Sequence, residues 1–200
     1  MVLLRALYGV VFALAVAGSV PAVAQQPSKT GAPSKAGAPE TFSASARAEN
    51  PDGAAISAPV EIHVDRYTPD FDRKRVEEGL RINGYPGFIT ALRNAPDVGY
   101  VEVTRRRFTV RYAREVVSDK GRTIVVVTDK PVAFLGGGMA DTKPRAGYEV
   151  GAIELTIPAR GEATGRMVAA ARIKAGGETG VVIDNYAADA PIVLTKVTRQ

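Results

Sequence analysis

The 200-residue chain is 46% hydrophobic and 24% charged, a balance that describes one globular core of ordinary size and excludes collagenous, coiled-coil and wholly disordered readings. One His and no Cys leave no ligands for a zinc finger or iron–sulfur cluster, no c-type haem attachment, no disulfide framework and no thiol nucleophile. The net charge of +5 is mild, enough to favour polyanions without naming one.

The chain opens with Arg5 and an uncharged run, Ala6–Gly18, followed by Ala22-Val23-Ala24. A basic start, an apolar stretch and a small-residue exit predict a signal peptide over 1–24, cut before Gln25. The expected location is the bacterial periplasm or the exterior, and with no Cys there is no lipid anchor. Residues 25–58 then read as a disordered linker. Pro27-Ser28-Lys29-Thr30-Gly31-Ala32 is nearly repeated as Pro33-Ser34-Lys35-Ala36-Gly37-Ala38, and Phe42 and Ile56 are the only bulky apolar residues. Such text buries too little to offset its ordering entropy.

Residues 59–200 read as a single α+β domain. Val60, Ile62 and Val64 alternate with Glu61, His63 and Asp65, the pattern of a half-buried strand. Thr68-Pro69-Asp70 predicts a helix start with Thr68 as its cap, and Phe71, Val76, Leu80 and Ile82 form its apolar stripe, ending at Asn83-Gly84. Pro86-Gly87 opens a second short helix with Phe88, Ile89 and Leu92 inward. The remainder predicts strands at 98–104, 107–116, 123–128, 132–134, 148–157, 164–174, 180–186 and 192–198. Ile124-Val125-Val126-Val127, apolar on both faces, is expected at the centre of the sheet. Short connections imply an antiparallel meander, closed as a barrel or folded as a sandwich, with two short helices after its first strand.

No catalytic constellation stands out. Past the linker, Ser118 is the only serine and His63 the only histidine, and no Gly-x-Ser-x-Gly elbow is present. Glu61, His63 and Asp65 share a strand face but lack a second histidine or a cysteine to complete a metal site, so no metal and no cofactor are expected. The ligand-binding candidates are cationic. Arg107 and Arg111 alternate on one strand face, opposite Phe108, Val110 and Tyr112; Gly136, Lys143 and Arg145 lie in a Gly-rich loop where backbone can approach a phosphate. Tyr112, Tyr148 and Tyr186 read as core or rim residues.

Four short pieces carry a resemblance: Val60-Glu61-Ile62-His63-Val64-Asp65-Arg66-Tyr67-Thr68, Arg111-Tyr112-Ala113-Arg114, Thr128-Asp129-Lys130-Pro131 and Asp184-Asn185-Tyr186. With them the chain resembles an uncharacterised family of small exported bacterial proteins. The resemblance implies an exported single domain beginning near residue 58 and brings no activity, cofactor or site; it departs most over 134–148. Three functions follow as expectations. The first is a non-catalytic binding or interaction module of the envelope, with an apolar small molecule or an anionic envelope component as partner; nucleic acid is disfavoured by location and by the lack of aromatics between the arginines. The others are a periplasmic hydrolase built on carboxylates or on the Gly136 loop, and a structural protein that contacts anionic polymers through an arginine face.

Overall fold

The computed structural model describes residues 39–49, 55–132, 146–184 and 192–200. The expected signal peptide and the candidates Gly136, Lys143 and Arg145 lie outside these residues.

Nine strands and one helix follow in order: β1 (Glu40–Glu49), β2 (Ala55–Val64), α1 (Asp70–Arg93), β3 (Gly99–Val103), β4 (Arg106–Ser118), β5 (Gly121–Thr128), β6 (Val150–Pro158), β7 (Ala163–Ala175), β8 (Val181–Asp184) and β9 (Ile192–Arg199). Every pairing is antiparallel, and the ring β1-β2-β3-β4-β5-β6-β7-β9 returns to β1. The meander therefore closes as an eight-stranded barrel, which leaves its staves no free edge. The short β8 stays outside the ring and pairs with the far half of β7, from Arg172↔Asp184 to Ala175↔Val181.

Part of the expected linker is a barrel stave. β1 has few bulky side chains, yet it pairs along its length with β2 and again with β9. Hydrogen bonds on both sides replace the missing apolar bulk, and Phe42, Ala44 and Ala46 turn inward. The domain thus begins by residue 40 rather than 59. Strand parity fills the interior from all sides, with Ile62, Val101, Phe108, Ile124, Leu155, Met167 and Leu194 each at most 3% exposed. At eight strands a barrel interior is just wide enough to be filled by side chains.

A second apolar cluster lies on the outer surface. Val76, Leu80, Phe88, Ile89 and Leu92 of α1 cover Val125 and Val127 of β5 together with Val168, Ala171 and Ile173 of β7. β5 is apolar on both faces because one meets the interior and the other meets the helix. A bulge between Val110 and Tyr112 turns β4 over. Phe108, Val110 and Ala113 face inward, whereas Tyr112 faces α1, so the expected face shared by Phe108, Val110 and Tyr112 holds only up to the bulge.

One helix replaces the two short ones expected. Its interior breaks at Gly84, with φ 63° and ψ −157°, a conformation open to glycine. A Cβ on Gly87 would lie 2.5 Å from the Gly79 carbonyl oxygen. In a straight helix these positions would be about 12 Å apart along the axis. The limbs before and after Gly84 therefore lie side by side. Thr68 does not cap the helix: its Oγ1 accepts from the Ala113 N–H at 2.8 Å, and its own N–H donates to the Ala113 carbonyl at 2.8 Å. This bridge ties the entry to α1 onto β4.

The tie is reinforced at Glu77, which accepts from Arg73, from Arg114 at 3.1 Å and from the Tyr112 hydroxyl at 3.2 Å. The same hydroxyl reaches the Thr179 carbonyl at 2.6 Å, joining α1, β4 and the turn before β8.

One end of the interior is charged. Arg122 Nη2 donates to both oxygens of Glu40, at 2.8 and 3.1 Å, and Arg122 Nε donates to Glu115. Glu40, whose side chain is fully buried, also accepts from Tyr67 and pairs with Arg199 at 3.0 Å. Two arginines balance two glutamates, so the cluster is neutral as a whole. Removing one partner strands a buried charge. Arg122→Met is expected to lower the unfolding free energy by about 3–5 kcal/mol in urea titrations, with the larger loss if Glu40 stays ionised.

Candidate functional site

The two candidate arginines that the structure describes are each paired with a carboxylate. Arg107, 64% exposed, donates through Nε to Glu102 at 2.7 Å and stacks its guanidinium 4.3 Å from the Tyr100 ring centre. Arg111 donates to the Ala95 carbonyl at 2.7 Å and pairs with Asp97, stapling the end of α1 to β4. Each has a partner within the fold. The phosphate-loop candidates Gly136, Lys143 and Arg145 fall outside the described residues.

His63 sits at the centre of a different arrangement, on the outer face of β1–β3. Thr41 Oγ1 lies 2.7 Å from its Nδ1, Asp65 Oδ1 lies 3.0 Å from its Nε2, and Tyr100 stacks on its ring at 5.0 Å. If Asp65 is ionised it can only accept, which puts the proton on Nε2 and leaves Nδ1 to accept from Thr41. The order hydroxyl–imidazole–carboxylate matches the first part of a nucleophile relay. Thr41, His63 and Tyr100 lie opposite one another in the β1–β2–β3 ladder. Among the described residues, no group of three or more His, Asp or Glu side chains is placed to hold a metal ion.

The surface left unpaired belongs to α1. Phe71 is 72% exposed and Ile82 is 67% exposed. The sequence placed both on the buried stripe, and the structure turns both outward. At about 100° per residue Phe71 lies ~140° from Val76 and ~180° from Leu80, so these residues cannot share a face. Phe71, Arg75, Glu78 and Ile82 recur at i, i+4, i+7 and i+11, a single outward stripe. Lys74, Arg75 and Arg81 are exposed along it, and Arg93 is exposed on the second limb. None of these four cations makes a salt bridge among the described residues, whereas Arg73 on the barrel side makes two.

Between the limbs runs an open groove of about 470 Å³, whose lining includes Arg75, Gly79, Asn83, Gly87, Thr90 and Asn94. Gly79 and Gly87 allow the backbones to approach and form its narrow part. The Thr90 hydroxyl donates to the Pro86 carbonyl at 3.0 Å, which leaves its oxygen free to accept. Among the described residues, no carboxylate lines the groove. Within the sequence, the signal for this site was the pair Asn83-Gly84 followed by Pro86-Gly87, which marks a fold-back rather than an ending.

No family model, no curated protein and no solved structure matches the chain.

Three tyrosines report on how firmly the barrel ends and α1 are held. Burial, supported by Glu40, pushes the Tyr67 hydroxyl far above its usual range. Burial also raises Tyr85 and Tyr112, the latter with help from Glu77. A folded-state pKa above the unfolded value of about 10 keeps its full stabilising effect below that pH and loses it as pH rises further. Ultraviolet titration is therefore expected to find Tyr67, Tyr85 and Tyr112 still neutral near pH ~10, ionising only as the chain unfolds. Tyr67→Phe should reduce the alkaline loss of stability.

Proposed function

We propose that the protein is an exported interaction module that docks on an anionic membrane surface through the outward face of α1. The observation that carries this reading is the exposed Phe71–Ile82 stripe, along which Lys74, Arg75 and Arg81 make no salt bridge among the described residues and outnumber the one exposed carboxylate, Glu78. Basic residues beside outward aromatic and aliphatic side chains are the composition of a helix lying in the headgroup layer. Each Lys or Arg near an anionic bilayer contributes about 1 kcal/mol, and partial burial of Phe71 and Ile82 adds an apolar component. The sum favours reversible, salt-sensitive attachment. No helix among the described residues is long and apolar enough to cross a membrane.

Export is supported by the charge-free run Ala6–Gly18 and by Ala22-Val23-Ala24, and it would bring the domain to a lipid surface. An acidic polysaccharide would suit the cations but would leave Phe71 and Ile82 in water, so the bilayer is the better match. A carrier of apolar ligands has less support, since large side chains crowd the barrel interior. A hydrolase built on paired carboxylates has less support too, because Glu40 and Glu115 both engage Arg122.

Cosedimentation of the protein purified from the periplasm tests the reading. Binding should be at least ~10-fold stronger to vesicles containing phosphatidylglycerol than to phosphatidylcholine vesicles, and should fall as salt rises. Phe71→Ser with Ile82→Ser should weaken it by a further ~10-fold or more. Equal binding to both vesicles, or binding that the double variant retains, would contradict docking through α1.

A further inference from the structure

We infer that the groove between the limbs of α1 is a subsite for a glycerophosphate ester, a headgroup-sized ligand with one phosphate and free hydroxyls. The inference rests on the membrane reading, because Phe71 and Ile82 in the headgroup layer would set the adjoining groove at the level of the lipid phosphates. Its volume of about 470 Å³ falls in the range of small-molecule sites. The chemistry of its lining narrows the ligand. Arg75 supplies a guanidinium with no salt-bridge partner, whose donors suit two phosphate oxygens.

Asn83 and Asn94 offer an amide donor and an acceptor each, and Thr90 retains an acceptor. These neutral groups suit hydroxyls, which both donate and accept. A single cation and no carboxylate favour a monoanion. A choline or ethanolamine head would bring a second positive charge toward Arg75 with no acid to receive it, so the groove should discriminate against zwitterionic lipids.

The same phosphodiester chemistry is found in a lipid head and in a soluble glycerophosphodiester, and two arms of one experiment separate them. In the first, glycerophosphoglycerol is titrated into the 15N-labelled periplasmic protein without lipid. Amide shifts should concentrate at Gly79, Asn83, Gly87 and Asn94, and Arg75→Gln should weaken binding ~10-fold or more. In the second, vesicles carrying phosphatidylglycerol are compared with vesicles of equal charge carrying phosphatidylserine. Phosphatidylglycerol should be preferred several-fold, and Asn83→Ala should remove the preference while leaving the binding that depends on Phe71 and Ile82.

Vesicle binding without groove shifts would overturn the subsite and leave docking intact. Groove shifts without vesicle binding would support the subsite for a soluble phosphodiester and overturn the membrane reading. Inorganic phosphate binding as tightly as glycerophosphoglycerol would overturn recognition of the ester.

Discussion

Closure of the barrel through β1 is the constraint on which the rest of the molecule depends. β1 supplies the pairing partner for β2 on one side and β9 on the other, so without it the meander would be an open sheet with two long edges. Its composition is poor in bulk, and only Phe42 among its inward residues is large. Glu40 at its start compensates. This buried carboxylate gathers Arg122 from β5, Arg199 from β9 and Tyr67 from the approach to α1. Burial works against the charge of Arg122, but Glu40 and Glu115 hold its pKa above the ordinary value. A polar cluster thus fixes register at one end of a core that is otherwise apolar.

A closed barrel offers two surfaces to each strand, and α1 covers only part of the outer one. That division sorts the charges. Arg111, Arg114 and Arg122 spend their donors on carboxylates or carbonyls that join separate elements, and Arg73 spends its own on Asp70 and Glu77 within α1. Lys74, Arg75 and Arg81, on the far side of α1 from the barrel, do not. These three unpaired cations, with Glu78 among them, lie next to the two most exposed large apolar side chains of the described residues. The groove follows from the same geometry, because the break at Gly84 lays the second limb beside the first and leaves an open furrow between them.

Much of the barrel could be read from the sequence, since strict alternation along Val60–Val64 and the two-faced apolar run Ile124–Val127 are local signals of burial. β1 could not be read that way. Its pairing energy comes from backbone partners more than a hundred residues away in β9, and nothing in Glu40–Glu49 itself announces them. The bulge between Val110 and Tyr112 was equally silent: a one-residue insertion reverses the facing of Tyr112. The exposed stripe was legible in principle. Phe71 and Ile82 are eleven residues apart and in phase with each other, but out of phase with Val76 and Leu80. The pairing of Arg122 with the fully buried Glu40 was beyond sequence reasoning, since charge pairing across a barrel depends on closure.

The chain contains no Trp, so a Phe71→Trp variant carries a single fluorophore at the centre of the claim. Its emission, with quenching by brominated acyl chains, should be followed as phosphatidylglycerol vesicles are added, beside a Val117→Trp control at an exposed site on β4. The account predicts a blue shift and strong quenching at position 71, with neither at 117. Unchanged emission at 71 while the protein is bound to the vesicles, or equal quenching at both positions, would contradict docking through α1.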